Sequence, residues 1–501
     1  MILYCIRRLK RLKVDKLLKK RCKELHKNII QEQYDSKQNV RELFLLFEQY
    51  SHAEVLNCLR EYIELKQMID FCSEIEFEKK ELVKIKTIGV FYWRMYNGGI
   101  EKVLANCMKI WTDMGYRVVL YTDQESSDLD YKYPGSVKRI ILPQTRYLGE
   151  RLKKLEKSIL EEKVDVFINN AWMPDTLLWE LILVKSYNIP YILYTHGDFR
   201  AMYSILNDYS LKHFEVFKKA DIVLTLSKLT ESFYYLCGCN TKLVLNPLPQ
   251  ELKEMNCGNR SNANKILWIG RFDKGKRPLD AVRIFKKVND EIKNAELEMV
   301  GVGELELIEA TKQLVKRLDL ENKVYFRGYQ EVVNNFYQEA SIMLMTSEME
   351  GYPTVLLESK AYGIPCVMYE LPCSSLIQNG KGILSAPIGA EETLAGHIIA
   401  LLQNSSKRHE LGKAARESFE YLKSYDFINM WKEIFGEIEN YEEVFHSSEN
   451  VRNVDESVLP LFAKHLERAN EQTKLRVIEY KIGNKVLEIP RIIKKMIFRR
   501  R

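Results

Sequence analysis

From about residue 84 onward, short apolar runs alternate with longer helical ones, and this alternation limits the fold more than any other feature of the chain. KIKTIGVFYW leads into a helix from Gly99 to about Gly115 and then into RVVLYTD. VDVFINN, IPYILYT, DIVLTLS and KLVLNP follow, each separated by a helical run. Strands this short and apolar are buried on both faces, as in a parallel sheet covered by crossover helices. A polar, Asn-rich stretch at residues 251–264, ELKEMNCGNRSNAN, interrupts the series and reads as a linker. The alternation then resumes in KILWIGRF, AELEMVGVG, KVYFRGY, ASIMLMTS, PCVMYE and KGILSAP. The expected fold class is α/β, with two doubly wound, Rossmann-like parallel-sheet units in tandem. The length of 501 residues agrees, since single cores stop growing beyond about 250–300 residues.

The expected division is a helical extension at 1–83, a first unit at 84–250, the linker at 251–264, a second unit at 265–425, a helix at 426–445 and a basic helical tail at 446–501. In the extension, Leu43, Leu46, Phe47 and Tyr50, then Leu56, Leu59 and Ile63, recur at helical spacing. The ten cysteines are scattered; only Cys237 and Cys239 lie close, as C-G-C, and no CxxC occurs. That pattern disfavours a zinc site or a disulfide framework and fits reduced thiols in a cytosolic compartment. No apolar run approaches the roughly 20 residues of a membrane-spanning helix. The apolar start, Met1 to Ile6, is broken by Arg7, Arg8, Lys10 and Arg11, which is not how a signal peptide reads.

In open parallel sheets, ligands bind beyond the carboxyl ends of the strands. Four polar or Gly-rich segments occupy such positions. Asn97-Gly98-Gly99-Ile100-Glu101 follows the first strand of the first unit; paired glycines admit a ligand close to the backbone, and the following helix offers free N–H groups to an anion. A tight turn without ligand explains this segment equally well. Gly270 to Lys276 follows KILWI, and its Arg271 and Lys276 could clamp a diphosphate, one as a planar fork and one as a point charge. Glu350-Gly351-Tyr352-Pro353-Thr354-Val355 follows SIMLMTS. Pro353 suits the first position of a helix, whose free N–H groups near Thr354 and Val355 would face an anion. Glu358 then falls about two turns into that helix, a carboxylate in the apolar setting VLLESKAYGIPCVMY. His196 ends the strand IPYILYT, beside a Gly and an Asp.

Together these segments resemble the family 4 glycosyltransferases, retaining enzymes of the fold known as GT-B. The resemblance covers about residues 85–445 and is carried by IGRFDKGKRPLDAV, VGVGE, VYFRGY and SEMEGYPTVLLESKAYGIPCV, in that order. It implies that Arg271 and Lys276 hold the donor diphosphate, with Gly98 and Gly99 approaching it from the other unit. It implies that Glu350 faces the donor sugar, that the backbone from Gly351 through Tyr352 and Thr354 to Val355 contacts sugar hydroxyls and the distal phosphate, and that His196 lines the sugar site. Glu358 would bind the ribose, while Gly301, Gly303 and Tyr329 would flank the base. The helix around Phe427–Phe435 would cross back onto the first unit.

The implied reaction moves a sugar from a nucleotide-diphosphate donor to a glycan or lipid-linked glycan, as in capsule or lipopolysaccharide synthesis. No cofactor and no metal are expected, because fixed cations and helix N–H groups can stabilise the leaving diphosphate. Two other readings stand beside it: a sugar-nucleotide epimerase or inverting transferase on the same fold, and an inactive GT-B subunit that scaffolds a synthesis complex. The basic ends suggest a further partner. Ile2, Ile6, Leu9, Leu12 and Leu17 recur at near-helical spacing among basic residues, and Ile492, Ile493, Met496 and Ile497 do so among Arg491, Lys494, Lys495 and Arg499–Arg501. Basic amphipathic helices of this kind lie on anionic membrane surfaces. Packing of both ends on the protein is the alternative, and nucleic acid is not expected, as Tyr4 is the only aromatic within the N-terminal cluster.

Overall fold

A computed structural model of the chain describes residues 16–30, 36–62, 84–96, 98–171, 176–200, 216–248, 264–330, 332–371, 381–440 and 456–460. Two parallel sheets organise it. The first contains β1 (Thr87–Phe91), β2 (Arg117–Thr122), β3 (Lys138–Ile141), β4 (Val166–Asn169), β5 (Tyr191–Tyr194), β6 (Ile222–Thr225) and β7 (Thr241–Leu243), in the order β3-β2-β1-β4-β5-β6-β7. The second contains β8 (Lys265–Ile269), β9 (Glu296–Val300), β10 (Val324–Gly328), β11 (Ile342–Met345), β12 (Cys366–Tyr369) and β13 (Ile383–Ala386), in the order β10-β9-β8-β11-β12-β13. Each sheet starts in its middle and reverses direction once, between β1 and β4 and between β8 and β11. A crevice opens at such a reversal, where the flanking helices diverge to opposite faces.

The first sheet has one strand more than its apolar runs indicate. β3 is short, lies at the sheet edge and is only partly buried along KRII. Its first two residues are basic, so it lacks the apolar run that marks the interior strands, and only its pairing with β2 (Val119 opposite Lys138) reveals it.

The helical extension is folded onto the first unit. α1 (Lys16–Ile30), α2 (Ser36–Gln49) and α3 (His52–Arg60) bury Leu18, Cys22, Leu25, Leu43, Leu46, Leu56 and Leu59 in one core with α5 (Leu148–Glu161) and α6 (Leu177–Ser186). α3 starts with a capping box: Ser51 Oγ accepts from Glu54 N at 3.3 Å and donates to the Glu54 carboxylate at 2.9 Å, which satisfies an N–H group that the helix itself cannot pair. Beneath the extension, Arg151 of α5 is fully buried and bonds Glu180 of α6 at 2.5 Å.

Two helices frame the crevices. α4 (Gly99–Asp113) follows β1, and α11 (Thr354–Ala361) follows β11; between them in sequence, after α5 and α6, lie α7 (Lys228–Leu236), α8 (Pro278–Glu291), α9 (Leu305–Arg317) and α10 (Asn334–Glu339). After α12 (Glu391–Gln403) and α13 (Ser405–Lys423), α14 (Phe427–Glu439) returns to the first unit. There Trp431 meets Trp111 edge-on at 4.9 Å, Phe435 meets Tyr116 at 5.1 Å, and Glu439 accepts from the Ile85 amide at 2.7 Å. One apolar core runs through both units, from Ile88 and Val90 to Met343, Leu356 and Trp431. The linker at 251–264 lies outside the described residues except Asn264, as do residues 461–501 of the tail.

Candidate active site

The loop after β8 is shaped by its own side chains. Asp273 Oδ1 accepts from Lys276 N at 3.0 Å and closes a short turn. Arg277 adopts a left-handed conformation (φ 50°) and starts α8. It donates to Asp280 at 2.7 Å and to Glu348 at 3.0 Å. Thr346, at the end of β11, donates to the Lys276 carbonyl at 2.8 Å and is itself bonded by Trp268 Nε1 at 3.0 Å. The Glu348 amide donates to the Gly275 carbonyl at 2.9 Å. These contacts zip the β8 and β11 loops together and deliver Lys276 Nζ onto the Glu350 carboxylate, both of them mostly buried. Arg271 is set differently: it pairs with Asp273 at 3.1 Å and its side chain is 75% exposed.

Thr354 is the first residue of α11, and Pro353 precedes it as the cap, a shift of one position from the expected start. Glu358 is therefore the fifth helical residue, just over one turn in rather than two. Its environment accounts for a carboxylate in an apolar helix. Tyr337 Oη donates to it at 2.6 Å, and Lys102 of α4 stands 3.6 Å from its other oxygen. Tyr337 is itself held by stacking on Tyr362, with ring centres 5.0 Å apart.

The first unit meets this surface with Gly98 and Gly99. Gly99 faces Thr354, so that a side chain at Gly99 would lie in contact with the Thr354 methyl and hydroxyl. Gly98 is extended (φ −152°), and a methyl there would overlap the Glu101 carboxylate. Glu101 is 2% exposed and accepts from Arg94 Nε at 2.9 Å. Burial raises its pKa, and the Arg94 and Arg271 charges oppose that rise. Gly99, Lys102, Asn106, Asn246, Tyr352, Thr354 and Glu358 line one pocket between the units.

His196 sits where the units touch. Its ring lies 4.2 Å from that of Tyr194, and its Nε2 is 2.9 Å from Asn170 Oδ1. Asn170 Nδ2 donates to the Phe91 carbonyl, so its oxygen is the acceptor and His196 Nε2 carries the proton in this assignment. Nδ1 is buried with no hydrogen-bond partner among the described residues. Burial pushes the His196 pKa down to about 3, so the imidazole is neutral at physiological pH. On the other side of the contact, Gly351 packs its backbone against the His196 carbonyl.

Gly301 and Gly303 lie beside the loop after β8. Gly301 has φ +137°, and a methyl there would overlap the Gly270 carbonyl; at Gly303 it would overlap the backbone of Phe272. Close backbone packing alone therefore requires glycine at both. Tyr329, after β10, is 53% exposed. The structure thus gathers Gly98, Gly99, Lys276, Glu350, Gly351, Tyr352, Thr354, Glu358 and His196 along the facing surfaces of the two units. Asn170, Tyr337 and Lys102 were not singled out in the sequence. Asn170 was accessible to the same strand-end reasoning, at the carboxyl end of VDVFINN; Tyr337 and Lys102 lie on helices and carry no such mark.

Two family models match adjoining stretches of the chain. Residues 97–245 match Glycosyltransferase Family 4, and residues 251–418 match Glycosyl transferases group 1. The chain belongs to the family 4, group 1 glycosyltransferases. It is an enzyme that transfers sugar from a nucleotide-sugar donor. This glycosyltransferase is 34% identical over 182 residues to an N-acetyl-alpha-D-glucosaminyl L-malate synthase of Bacillus anthracis, a match covering 36% of this chain and 47% of that protein. It is 25% identical over 322 residues to an alpha-1,4-N-acetyl-D-galactosaminyltransferase of Campylobacter jejuni, named for a glycan on PP-undecaprenol, covering 62% of this chain and 88% of that one. HepE of Anabaena, crystallised with UDP and glucose, superposes with a TM-score of 0.59 at 15% identity, covering 71% of this chain and all of that one. The shared architecture is GT-B.

Proposed function

We propose that this glycosyltransferase is retaining and metal-independent, and that it extends a glycan or lipid-linked glycan in cell-surface polysaccharide synthesis. The observation that carries the reading is the Lys276–Glu350 pair, set in the loop before α11, whose first residue Thr354 faces Gly99 of the other unit. A nucleoside diphosphate leaving group gains negative charge as the glycosidic bond breaks. Lys276 and the amides of Thr354 and Val355 supply fixed positive charge and dipoles for it, with Arg271 adding a solvated charge at the rim, the function a divalent ion serves in other active sites. Glu350 and the Gly351–Tyr352 backbone face the sugar, His196 lines its far side, and Glu358 takes the ribose. Gly301, Gly303 and Tyr329 border the base. Attack from the face of the departing diphosphate retains configuration, with the phosphate accepting the acceptor's proton.

The test is a panel of nucleotide sugars assayed for transfer or hydrolysis, with the product anomer read by NMR. The donor that is used should give an α-product from an α-donor, and turnover should persist in excess EDTA. Loss of activity in chelator, restored by magnesium or manganese, would overturn the metal-free reading; an inverted product would overturn retention.

The acceptor class suggests where the enzyme works. Residues 1–15 and 461–501, which hold most of the basic amphipathic pattern, lie outside the described residues. Among the described residues, α1 buries Leu18, Cys22 and Leu25 and exposes Lys16, Leu17, Lys20, Lys23 and Lys27. From Leu18 onward the helix is thus docked by its apolar face, and membrane contact falls to the residues before it and to the C-terminal tail. Each basic residue near an anionic leaflet adds about 1 kcal/mol. In liposome co-sedimentation, the full chain should bind anionic but not neutral vesicles, release at high salt, and fail to bind once residues 1–15 and 490–501 are removed. Equal recovery in the supernatant with and without those segments would end the membrane proposal.

A further inference from the structure

Lys102 closes the first turn of α4, three residues beyond Gly99, and reaches across the cleft to the second unit. Its Nζ stands 3.6 Å from Glu358 Oε1. That is an ion-pair distance but too long for a hydrogen bond, so the ammonium is not locked in place. The carboxylate is: Tyr337 Oη holds its other oxygen at 2.6 Å. Glu358 is 13% exposed and Lys102 35%, so the carboxylate is the desolvated partner and the lysine the solvated one. A carboxylate this buried needs a counter-charge or a donor. Lys102 also lines the same pocket as Gly99 and Thr354.

We propose that Lys102 is a donor-positioning residue contributed by the first unit: it neutralises Glu358 until a nucleoside diphosphate binds, then passes to the phosphates as a ribose hydroxyl takes over the carboxylate. The idea rests on the donor-site reading above. Its physical basis is an exchange of partners within one pocket. A ribose hydroxyl donates to Glu358 Oε1 and relieves its need for a cation. The released ammonium is a compact charge on a flexible stem, able to turn toward a diphosphate lying against Gly99 and Thr354. The first unit thereby senses that the second holds a nucleotide, because Lys102 belongs to one and Glu358 to the other.

The test uses the full chain with UDP, GDP and ADP as probes, their Kd values measured by calorimetry at several salt concentrations. Wild type is compared with Lys102→Met, Lys102→Arg and Glu358→Gln, with melting curves to verify folding. Lys102→Met should weaken the best-bound diphosphate by about tenfold or more, as loss of one charge-assisted contact does. It should also flatten the salt dependence, which a merely structural lysine would leave unchanged. Lys102→Arg should stay within about threefold of wild type, since it keeps the charge. If Lys102→Met binds diphosphate as tightly as wild type, or more tightly, the lysine only ties the units together and the inference is wrong. A different result marks failure of the underlying reading: none of the three diphosphates binds wild type, or Glu358→Gln leaves their Kd unchanged.

Discussion

Replacing Lys276 by alanine is expected to lower donor-dependent turnover by about 30- to 900-fold, equivalent to roughly 2–4 kcal/mol of lost transition-state stabilisation. Lys276 combines two features that make a cation effective: its side chain is only 21% exposed, and its backbone is fixed by Asp273 and Thr346. A charge held in that way needs little reorganisation when negative charge develops beside it. The substitution also strips Glu350, 14% exposed, of its cation, which adds the cost of a partly buried carboxylate left without its partner. Arg271 should matter less. It is 75% exposed and already paired with Asp273, so water screens it and Arg271→Ala should cost no more than about tenfold. Steady-state kinetics with the preferred donor, beside a melting curve for each variant, measure both. Wild-type turnover in a folded Lys276→Ala protein would put the diphosphate somewhere else.

Gly351→Ala should be nearly as damaging, for a reason that involves no lost charge. A methyl at Gly351 would overlap the His196 carbonyl and stand 3.0 Å from Gly197 Cα. Both obstacles are backbone and follow directly from β5, so neither can swing aside as a side chain would. The overlap is relieved by parting the two units or by displacing the Glu350–Thr354 loop. Either shift moves groups of the first unit, His196 among them, relative to Glu350, and a misplacement of about 1 Å can cost on the order of 100-fold in rate. The contact lies where the two units share one apolar core, so a melting curve for the variant separates misplaced catalytic groups from a loosened core. Nucleoside diphosphate affinity should fall as well, because parting the units withdraws Lys102 and moving the loop displaces Thr354. A Gly351→Ala enzyme with undiminished turnover would mean that this approach of the units is not the catalytic one.

Much of this arrangement was legible along the chain. Hydrophobic periodicity sums over a contiguous window, so TIGVF, VFIN, YILY and IMLM marked buried strands before any pairing was known. A parallel sheet leaves its open loops at one end, and this places Gly98–Gly99, Gly270–Lys276, Glu350–Thr354 and His196 where a ligand can bind. β3 carries no such mark, because its basic start and edge position leave it without an apolar run. α11 starts one residue after the position that Pro353 suggests, because the proline serves as the cap and Thr354 as the first helical residue.

What only the tertiary structure decided is which distant residues share a site. Lys276 meets Glu350 because Thr346, Glu348 and Arg277 join two loops that are far apart in sequence. Lys102 meets Glu358 because α14 carries the chain back and packs Trp431 and Phe435 on the first unit, holding both units around one apolar core. Local pattern reports how each element is solvated and therefore fixes where strands and their loops occur. The pairing of charges across a cleft depends on the relative placement of two separately patterned units, and that placement is set by side-chain packing summed over the whole interface, to which no single stretch of sequence is a guide.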